Sequence, residues 1–243
     1  MDIIKIGGSL LTDKTVYRKF YQKKTSTIIQ RLSKLESFIL VHGGGSFGHY
    51  ISEKYGLPGE VSEERIKAGA IVKYDMADLN QRIVKMLNSV GRPAIGISPF
   101  FLNRNDSFNY DLVKKVLEMN FIPVLYGDVY LRNHEIGILS GDHIMVSLAE
   151  MFKPERAIFL SDVDGVFDMD PKKYRNAAMI RKYSKEIVNF GAISNDVTGG
   201  MELKFKSMIN CRKAGVKTYL LNGNFPERIE YIDKEDFVGY INN

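Results

Sequence analysis

The sequence has little of what staples, anchors or cages a protein. One cysteine, Cys211, excludes an internal disulfide in the 243 residues and suits a reducing cytoplasm. It reads as a small apolar side chain on a helix. No apolar run nears the roughly 20 residues that a membrane helix needs. No secretory pattern precedes the first strand, so neither a leader nor membrane insertion is expected. The charge excess is small: +5 formally, with a pI near 9.0, spread along the chain. It could attract anionic substrates, but no basic stretch interleaves with aromatics, so nucleic acid is not expected as a partner. The Walker pattern is missing, and so is the spaced Rossmann fingerprint after the first strand. No His or Cys cluster has metal-ligand spacing, so no metal held by the protein itself is expected.

What the sequence does have is glycine at strand ends. Phe38-Ile39-Leu40-Val41 reads as a short buried strand. His42-Gly43-Gly44-Gly45-Ser46-Phe47-Gly48-His49 follows, and then helix-compatible spacing over residues 50–54. Such a turn sets unpaired N–H groups at the positive end of a helix dipole, where phosphate is attracted. Glycine lets the backbone approach an anion closely and tolerates positive φ. His49, one turn on, is the titratable side chain of this stretch that could aim at the same anion.

Asp2-Ile3-Ile4-Lys5-Ile6 is a second strand, closed by Gly7-Gly8-Ser9, with Lys14 a few residues later. Asn195-Asp196-Val197-Thr198-Gly199-Gly200 is another glycine turn, opening a helix that carries Lys204 near its start. One such turn alone is commonly just a tight connection. Three, with Lys5, Lys14 and Lys204 beside them and several aspartates, make a site for more than one phosphate. Phosphoryl transfer asks for positioning and positive charge around the moving group, which lysines from opposite sides and backbone N–H nests can supply.

Strands alternate with helices along the rest of the chain. A helical period spans residues 15–35 through Val16, Phe20, Ile28, Leu32 and Leu35, with a break near Thr25. Gly56-Leu57-Pro58-Gly59 is a breaker, and a long helix is expected over 62–88 with Ile66, Ala70, Tyr74, Ala77 and Ile83 at apolar positions. A strand at 93–97, a polar loop at 103–109, a helix at 110–119 and a strand at 121–125 follow, the last ending at Tyr126-Gly127-Asp128. Residues 129–139 form a hairpin pattern tipped by Asn133 and His134, and Ser140-Gly141-Asp142 caps a helix to about 152. A strand at 157–160 ends in Ser161-Asp162-Val163-Asp164-Gly165; a strand at 216–221 and a last one at 237–241 complete the chain. This order predicts an α/β fold: a three-layer αβα sandwich around an open, mainly parallel sheet, one domain over 1–243. Ligands of such sheets lie at the carboxyl ends of the strands, where these glycine turns fall.

Lys5-Ile6-Gly7-Gly8-Ser9, the His42-Gly43-Gly44-Gly45 loop, Ser161-Asp162-Val163-Asp164-Gly165 and Thr198-Gly199-Gly200-Met201 with Lys204 resemble the amino acid kinase superfamily, in the right order over essentially the whole chain. Gly45-Ser46-Phe47-Gly48-His49, Tyr126-Gly127-Asp128, Ser140-Gly141-Asp142 and Asn195-Asp196-Val197-Thr198-Gly199-Gly200 are similar to its isopentenyl phosphate kinases. The resemblance implies transfer of the γ-phosphoryl of ATP to isopentenyl phosphate, in a cytoplasmic enzyme that is a homodimer, as superfamily members often are. It implies an acceptor side over about 1–150 and a nucleotide side over about 151–243.

Carried residue by residue, the resemblance has Lys5 and Lys204 bind ATP phosphates, with Lys14 near the same oxygens. Gly8, Gly44 and Gly45 would supply N–H groups to the two phosphate chains, and Asp142 would orient the lysines. Asp162, Asp164, Gly165 and Gly200 belong toward the nucleotide, and Gly127 toward the acceptor. His49 would hydrogen-bond the acceptor's terminal phosphate. A phosphate monoester is already ionised near neutral pH, so the site needs a donor there rather than a general base. Magnesium is expected to arrive on ATP. By adjacency, Val129, Ile138 and Val72 could line a pocket for the hydrocarbon tail, and the small Ala68, Gly69 and Ala70 leave room for a longer acceptor.

Plainer readings stand beside these. Lys14 also suits a solvated surface lysine, Asp142 and Asp196 suit caps or turns, and Asp164-Gly165 suits simple turn chemistry. His42 reads as a packed strand-end residue, His134 as an exposed tip and His143 as an ordinary helix residue. The competing activities are a same-fold kinase of another phosphate or phosphonate (fosfomycin-type), a carboxylate kinase such as a glutamate 5-kinase, and a nucleotide-binding regulatory module without turnover.

Overall fold

A computed structural model describes residues 1–101, 103–104, 107–108, 110–167, 174–180, 200–232 and 239–242. The first half runs β1 (Asp2–Ile6), α1 (Gly8–Leu11), α2 (Gln22–Leu32), β2 (Phe38–His42), α3 (His49–Tyr55), β3 (Gly59–Glu60), α4 (Glu63–Ser89), β4 (Ala94–Ile97), β5 (Asn103–Arg104), β6 (Ser107–Phe108) and α5 (Asp111–Glu118). The second runs β7 (Ile122–Tyr126), β8 (Asp128–Arg132), β9 (Glu135–Leu139), α6 (Gly141–Phe152), β10 (Arg156–Ser161), β11 (Val166–Phe167), β12 (Met179–Ile180), α7 (Gly200–Lys213), β13 (Lys217–Asn222) and β14 (Tyr240–Asn242). A seven-stranded sheet has the order β14-β13-β10-β1-β2-β7-β4, parallel except for β14. It is the expected mainly parallel sandwich.

The strands are apolar on both faces because both faces are covered. Ile4, Ile6, Leu40 and Ile158 pack with Ile28 and Leu32 of α2 and Leu79 of α4. Their neighbours Ile3, Ile39, Val41 and Phe159 point the other way, against Val113 of α5, Leu148 of α6 and Met208 of α7. The two-residue alternation of a strand thereby sends Lys5 to the α6 side and His42 to the α4 side. Ser62 caps α4 by accepting from the Arg65 N–H, and Ser140 caps α6 by accepting from the His143 N–H. No helix among the described residues is long and apolar enough to cross a membrane.

Three expectations need correction. Residues 15–20 are not the start of a helix, since Thr12 bridges Phe20 in an antiparallel pair, and no break falls at Thr25, which is buried inside a continuous α2 (Gln22–Leu32). The apolar period there was coincidental, since Val16 is exposed and Arg18 has a left-handed φ of 56°. In α4 the buried face carries Val72, Asp75, Met76, Leu79 and Asn80, whereas Ile66 and Tyr74 are exposed. Two polar residues on the buried stripe displaced the phase that hydrophobicity alone suggests. Finally, the polar loop at 103–109 contains the small β5–β6 ladder. Residues 195–199 and the start of the expected last strand, 237–238, lie outside the described residues.

Candidate active site

Parallel register brings the strand ends level. Ile6 pairs with His42 on one side and Leu160 on the other, while His42 pairs with Tyr126. Each ladder continues one residue past the strand: the N–H of Gly7 donates to Leu160 O (2.9 Å), Gly43 to Ile6 O (2.9 Å), Gly127 to His42 O (3.1 Å) and Gly223 to Ser161 O (2.7 Å). The turns after β1, β2, β7, β10 and β13 therefore lie side by side on one edge.

The β1 and β2 turns interlock. A Cβ on Gly8 would lie 2.4 Å from the Gly45 nitrogen, and one on Gly43 would lie 2.8 Å from the Gly8 nitrogen. Gly45 has φ +49°, and a Cβ there would meet Thr12 Oγ1 at 1.9 Å. That hydroxyl accepts from the Ser46 N–H (2.9 Å) and donates to Gly8 O (3.1 Å), tying both turns together. Bare backbone with little room for side chains is what close approach of an anion requires. Gly44 lies on the α4 side of the turn, where its Cβ would lie 3.0 Å from Met76 Sδ.

Beneath these turns lies a buried pair. Lys5 Nζ donates to Asp142 Oδ2, both side chains being almost fully enclosed. Burial brings the Lys5 ammonium down to about 8, with Asp142 opposing and Lys204 adding to the fall. Burial pushes the Asp142 carboxyl up, but the Lys5 and Lys204 charges outweigh it and hold the group below the ordinary carboxylate range. Lys204, on α7, is itself buried and within electrostatic reach of both. Asp142 Oδ1 is buried without a hydrogen-bond partner among the described residues. One negative charge thus stands among two positive ones, with an acceptor oxygen to spare.

His49 opens α3 at the mouth of this site and is exposed. The protein crowding its ring lowers the imidazole below its usual range; Glu53 opposes, and Lys14 and Lys5 add to the lowering. The structure thus brings Lys14 and Lys5 each within electrostatic reach of His49. Lys14 is exposed. His42, by contrast, is fully buried: its Nδ1 lies 3.1 Å from Gly43 O, its Nε2 lies 3.3 Å from Asn80 Oδ1, and its ring stacks on Tyr126 at 5.4 Å. Burial takes it down to about 4 despite both contacts, so it stays neutral.

On the β7 side, Gly127 packs tightly, a Cβ there lying 3.2 Å from Leu139 O and 3.3 Å from the Gly141 nitrogen. Val72, Val129 and Ile138 belong to the apolar cluster on the α4 side of the sheet, where Ile136 of β9 packs on Gly69 of α4. Ala68 and Gly69 are buried there, while Ala70 is exposed. Next to them Asp128 accepts from Lys73, and Ser98 donates to Asp128 Oδ2 at 3.1 Å.

On the β10 side, a cleft of about 670 Å³ is lined by Ser9, Tyr21, Gln22, Lys23, Asp162 and Asn224, among others. Asp164 accepts from Arg228 Nη1 and from Asn222 Nδ2 (3.3 Å). Gly165 packs on Met179, a Cβ there lying 3.1 Å from its sulfur, and Gly200 opens α7. Sequence reasoning missed Thr12, Lys73, Asp128 as an ion-pair partner, and Arg228. Of these Asp128 left a signal, an acid directly after a strand-end glycine.

The chain matches the model of the amino acid kinase family over residues 2–222. It is 41% identical to the isopentenyl phosphate kinase of Thermoplasma acidophilum, with 99% of each chain covered. It is 33% identical to that of Arabidopsis thaliana, covering 87% of this chain and 74% of the relative. The crystal structure of the T. acidophilum isopentenyl phosphate kinase product complex superposes with a TM-score of 0.90 at 37% identity, covering 99% of both chains.

Proposed function

The chain belongs to the amino acid kinase family, within its isopentenyl phosphate kinases, and on that premise we propose that it transfers the γ-phosphoryl group of ATP to isopentenyl phosphate, yielding isopentenyl diphosphate and ADP. One observation carries the reading beyond the family name: a histidine opening α3 at the mouth of interlocked glycine turns, with Lys14 and Lys5 each within electrostatic reach of it.

An ionised oxygen of the acceptor phosphate attacks the γ-phosphorus as the bond from that phosphorus to the β–γ bridging oxygen breaks. The electron pair leaves on ADP. No proton has to leave the nucleophile. His49, neutral near pH 7, donates an N–H to the acceptor phosphate and fixes its direction of approach. The N–H groups of Gly8, Gly44 and Gly45 receive phosphate oxygens from the two substrates. Lys5 and Lys204 offset charge on the moving group, Lys14 does so from the solvent side, and Asp142 holds Lys5 charged against its burial. Magnesium carried by ATP would supply further charge neutralisation; among the described residues no group of three or more His, Cys, Asp or Glu gathers to hold it independently.

Asp162, Asp164, Gly165 and Gly200 serve the nucleotide side, about 151–243; Asp162 and Asn224 line the cleft there, with Ser9 and the start of α2 forming its other wall. Gly127 serves the acceptor side, about 1–150, and Val72, Val129 and Ile138, apolar side chains of the core there, would give a short hydrocarbon tail apolar contact. A homodimer in the cytoplasm completes the proposal; the free, buried Cys211 is compatible with a reducing compartment.

The test is ADP release with ATP and magnesium, comparing isopentenyl phosphate, fosfomycin and glutamate. Turnover is expected with isopentenyl phosphate far above the other two. Faster turnover of fosfomycin or glutamate would transfer the assignment to that acceptor. ATP binding without consumption would make the chain a regulatory module.

A further inference from the structure

Lys14 is exposed, and a solvated lysine is normally free to wander. Its backbone here is not. The segment 12–20 leaves α1 and returns to α2 as a closed strap, with the Asp13 N–H donating to Lys19 O (2.9 Å) and the Tyr21 N–H to Leu11 O (2.7 Å). Asp13 Oδ1 accepts from both the Thr15 N–H (2.9 Å) and the Thr15 hydroxyl (2.7 Å), bending the chain around Lys14.

The far side of the strap is bolted to α4. The Tyr17 hydroxyl donates to Asp75 Oδ2 at 2.6 Å. Arg18 reaches Asp75 Oδ1 at 3.1 Å and Asp78 Oδ2 at 2.5 Å, from a left-handed backbone that a non-glycine residue rarely adopts. Asp75 has a side chain only 1% exposed, among Val72, Met76 and Leu79 on the buried face of α4. Core packing gives no reason for an acid there, and burying a carboxylate is costly unless it is paired. Its two partners come from the strap: the Tyr17 hydroxyl bonds Oδ2, and the Arg18 charge stands opposite Oδ1, which has no hydrogen bond among the described residues.

The same two side chains touch the residues that flank His49. The Tyr17 ring lies 5.2 Å from that of Tyr50, and the Arg18 guanidinium stands 5.4 Å over the ring of Phe47. We propose that Asp75, by gripping Tyr17 and Arg18, holds the Lys14 strap in register with His49, so that Asp75, Tyr17 and Arg18 are positioning residues for the phosphoryl group in transfer. This rests on the proposed phosphate-binding role of Lys14.

The test is a double-mutant cycle in the full chain. Asp75→Asn and Tyr17→Phe are each made alone and together with Lys14→Ala; kcat and KM for isopentenyl phosphate and ATP are read by ADP release, with melting temperature alongside. In the Lys14 background, Asp75→Asn is expected to lower kcat/KM for isopentenyl phosphate roughly tenfold, and Tyr17→Phe by less. In the Lys14→Ala background each should cost less than about twofold, because the lysine they place is gone. Equal factors in the two backgrounds, with Lys14→Ala itself slow, overturn the clamp while leaving the role of Lys14 intact. A Lys14→Ala variant as active as wild type removes Lys14 from the site and the clamp with it. Should Asp75→Asn not fold, the Tyr17→Phe arm decides by the same comparison.

Discussion

The carboxyl edge of the sheet has two unlike halves. Above β1 and β2 the backbones of Gly8, Gly43 and Gly45 press on one another, and Lys5 and Asp142 are enclosed beneath them. Toward β10 and β13 the edge opens into the cleft between Asp162, Asn224, Ser9 of the β1 turn and the start of α2, and the Asp164 carboxylate is 41% exposed although Arg228 holds it. The crowded half has the fixed charges and dipoles that a phosphoryl transfer must find already in place. The open half has room and exchangeable polar contacts, which suit a nucleotide that must enter and leave. Rigidity and access are assigned to different stretches of one sheet edge.

That contrast can be broken most sharply at Gly45. Gly45→Ala forces a methyl group against Thr12 Oγ1 and Gly8 O at a positive φ. It is expected to cost more than roughly a hundredfold in kcat/KM and about 2 kcal/mol of stability. Steady-state kinetics and denaturant titration check both; near-normal values would make the crowded half plastic. A smaller effect lies in the pH profile. With Lys5 at about 8 in the free enzyme, kcat/KM is expected to fall above pH 8 as the ammonium deprotonates. Unfolding through this group cannot explain that limb: between about 8 and 10.5 the unfolded chain holds more protons at Lys5 than the folded one, so its contribution to stability improves as pH rises. A flat profile to pH 10 or so would contradict the buried-lysine assignment. The smallest effect is expected in the open half. Asp164→Ala removes a half-exposed ion pair, so stability should change by less than about 1 kcal/mol and only KM for ATP should rise, by a few fold.

The alternation of strands and helices was legible because parallel strands covered on both faces read as unbroken apolar runs, as Phe38-Ile39-Leu40-Val41 does. The glycine turns were legible because few side chains can replace them. The strap was not: the period through Val16 and Phe20 mimicked a helix, and the anchor that overrides it, Asp75, lies far along the chain on a helix whose phase was misjudged. Phase depends on which residues are buried, and a paired carboxylate can be buried as deeply as a leucine. The Gly8–Gly45 interlock was equally invisible, because it is a contact between two turns that only the strand register brings together.

The most direct measurement is turnover of isopentenyl phosphate by His49→Ala beside wild type, with melting temperature and KM for ATP recorded for both. Since His49 is exposed, the fold should be unaffected. The expected result is a loss of roughly a hundredfold or more in kcat/KM for isopentenyl phosphate, with KM for ATP nearly unchanged. Turnover close to wild type would remove His49 from the acceptor site and contradict the central claim that a neutral histidine, set beside Lys14, directs one phosphate onto another.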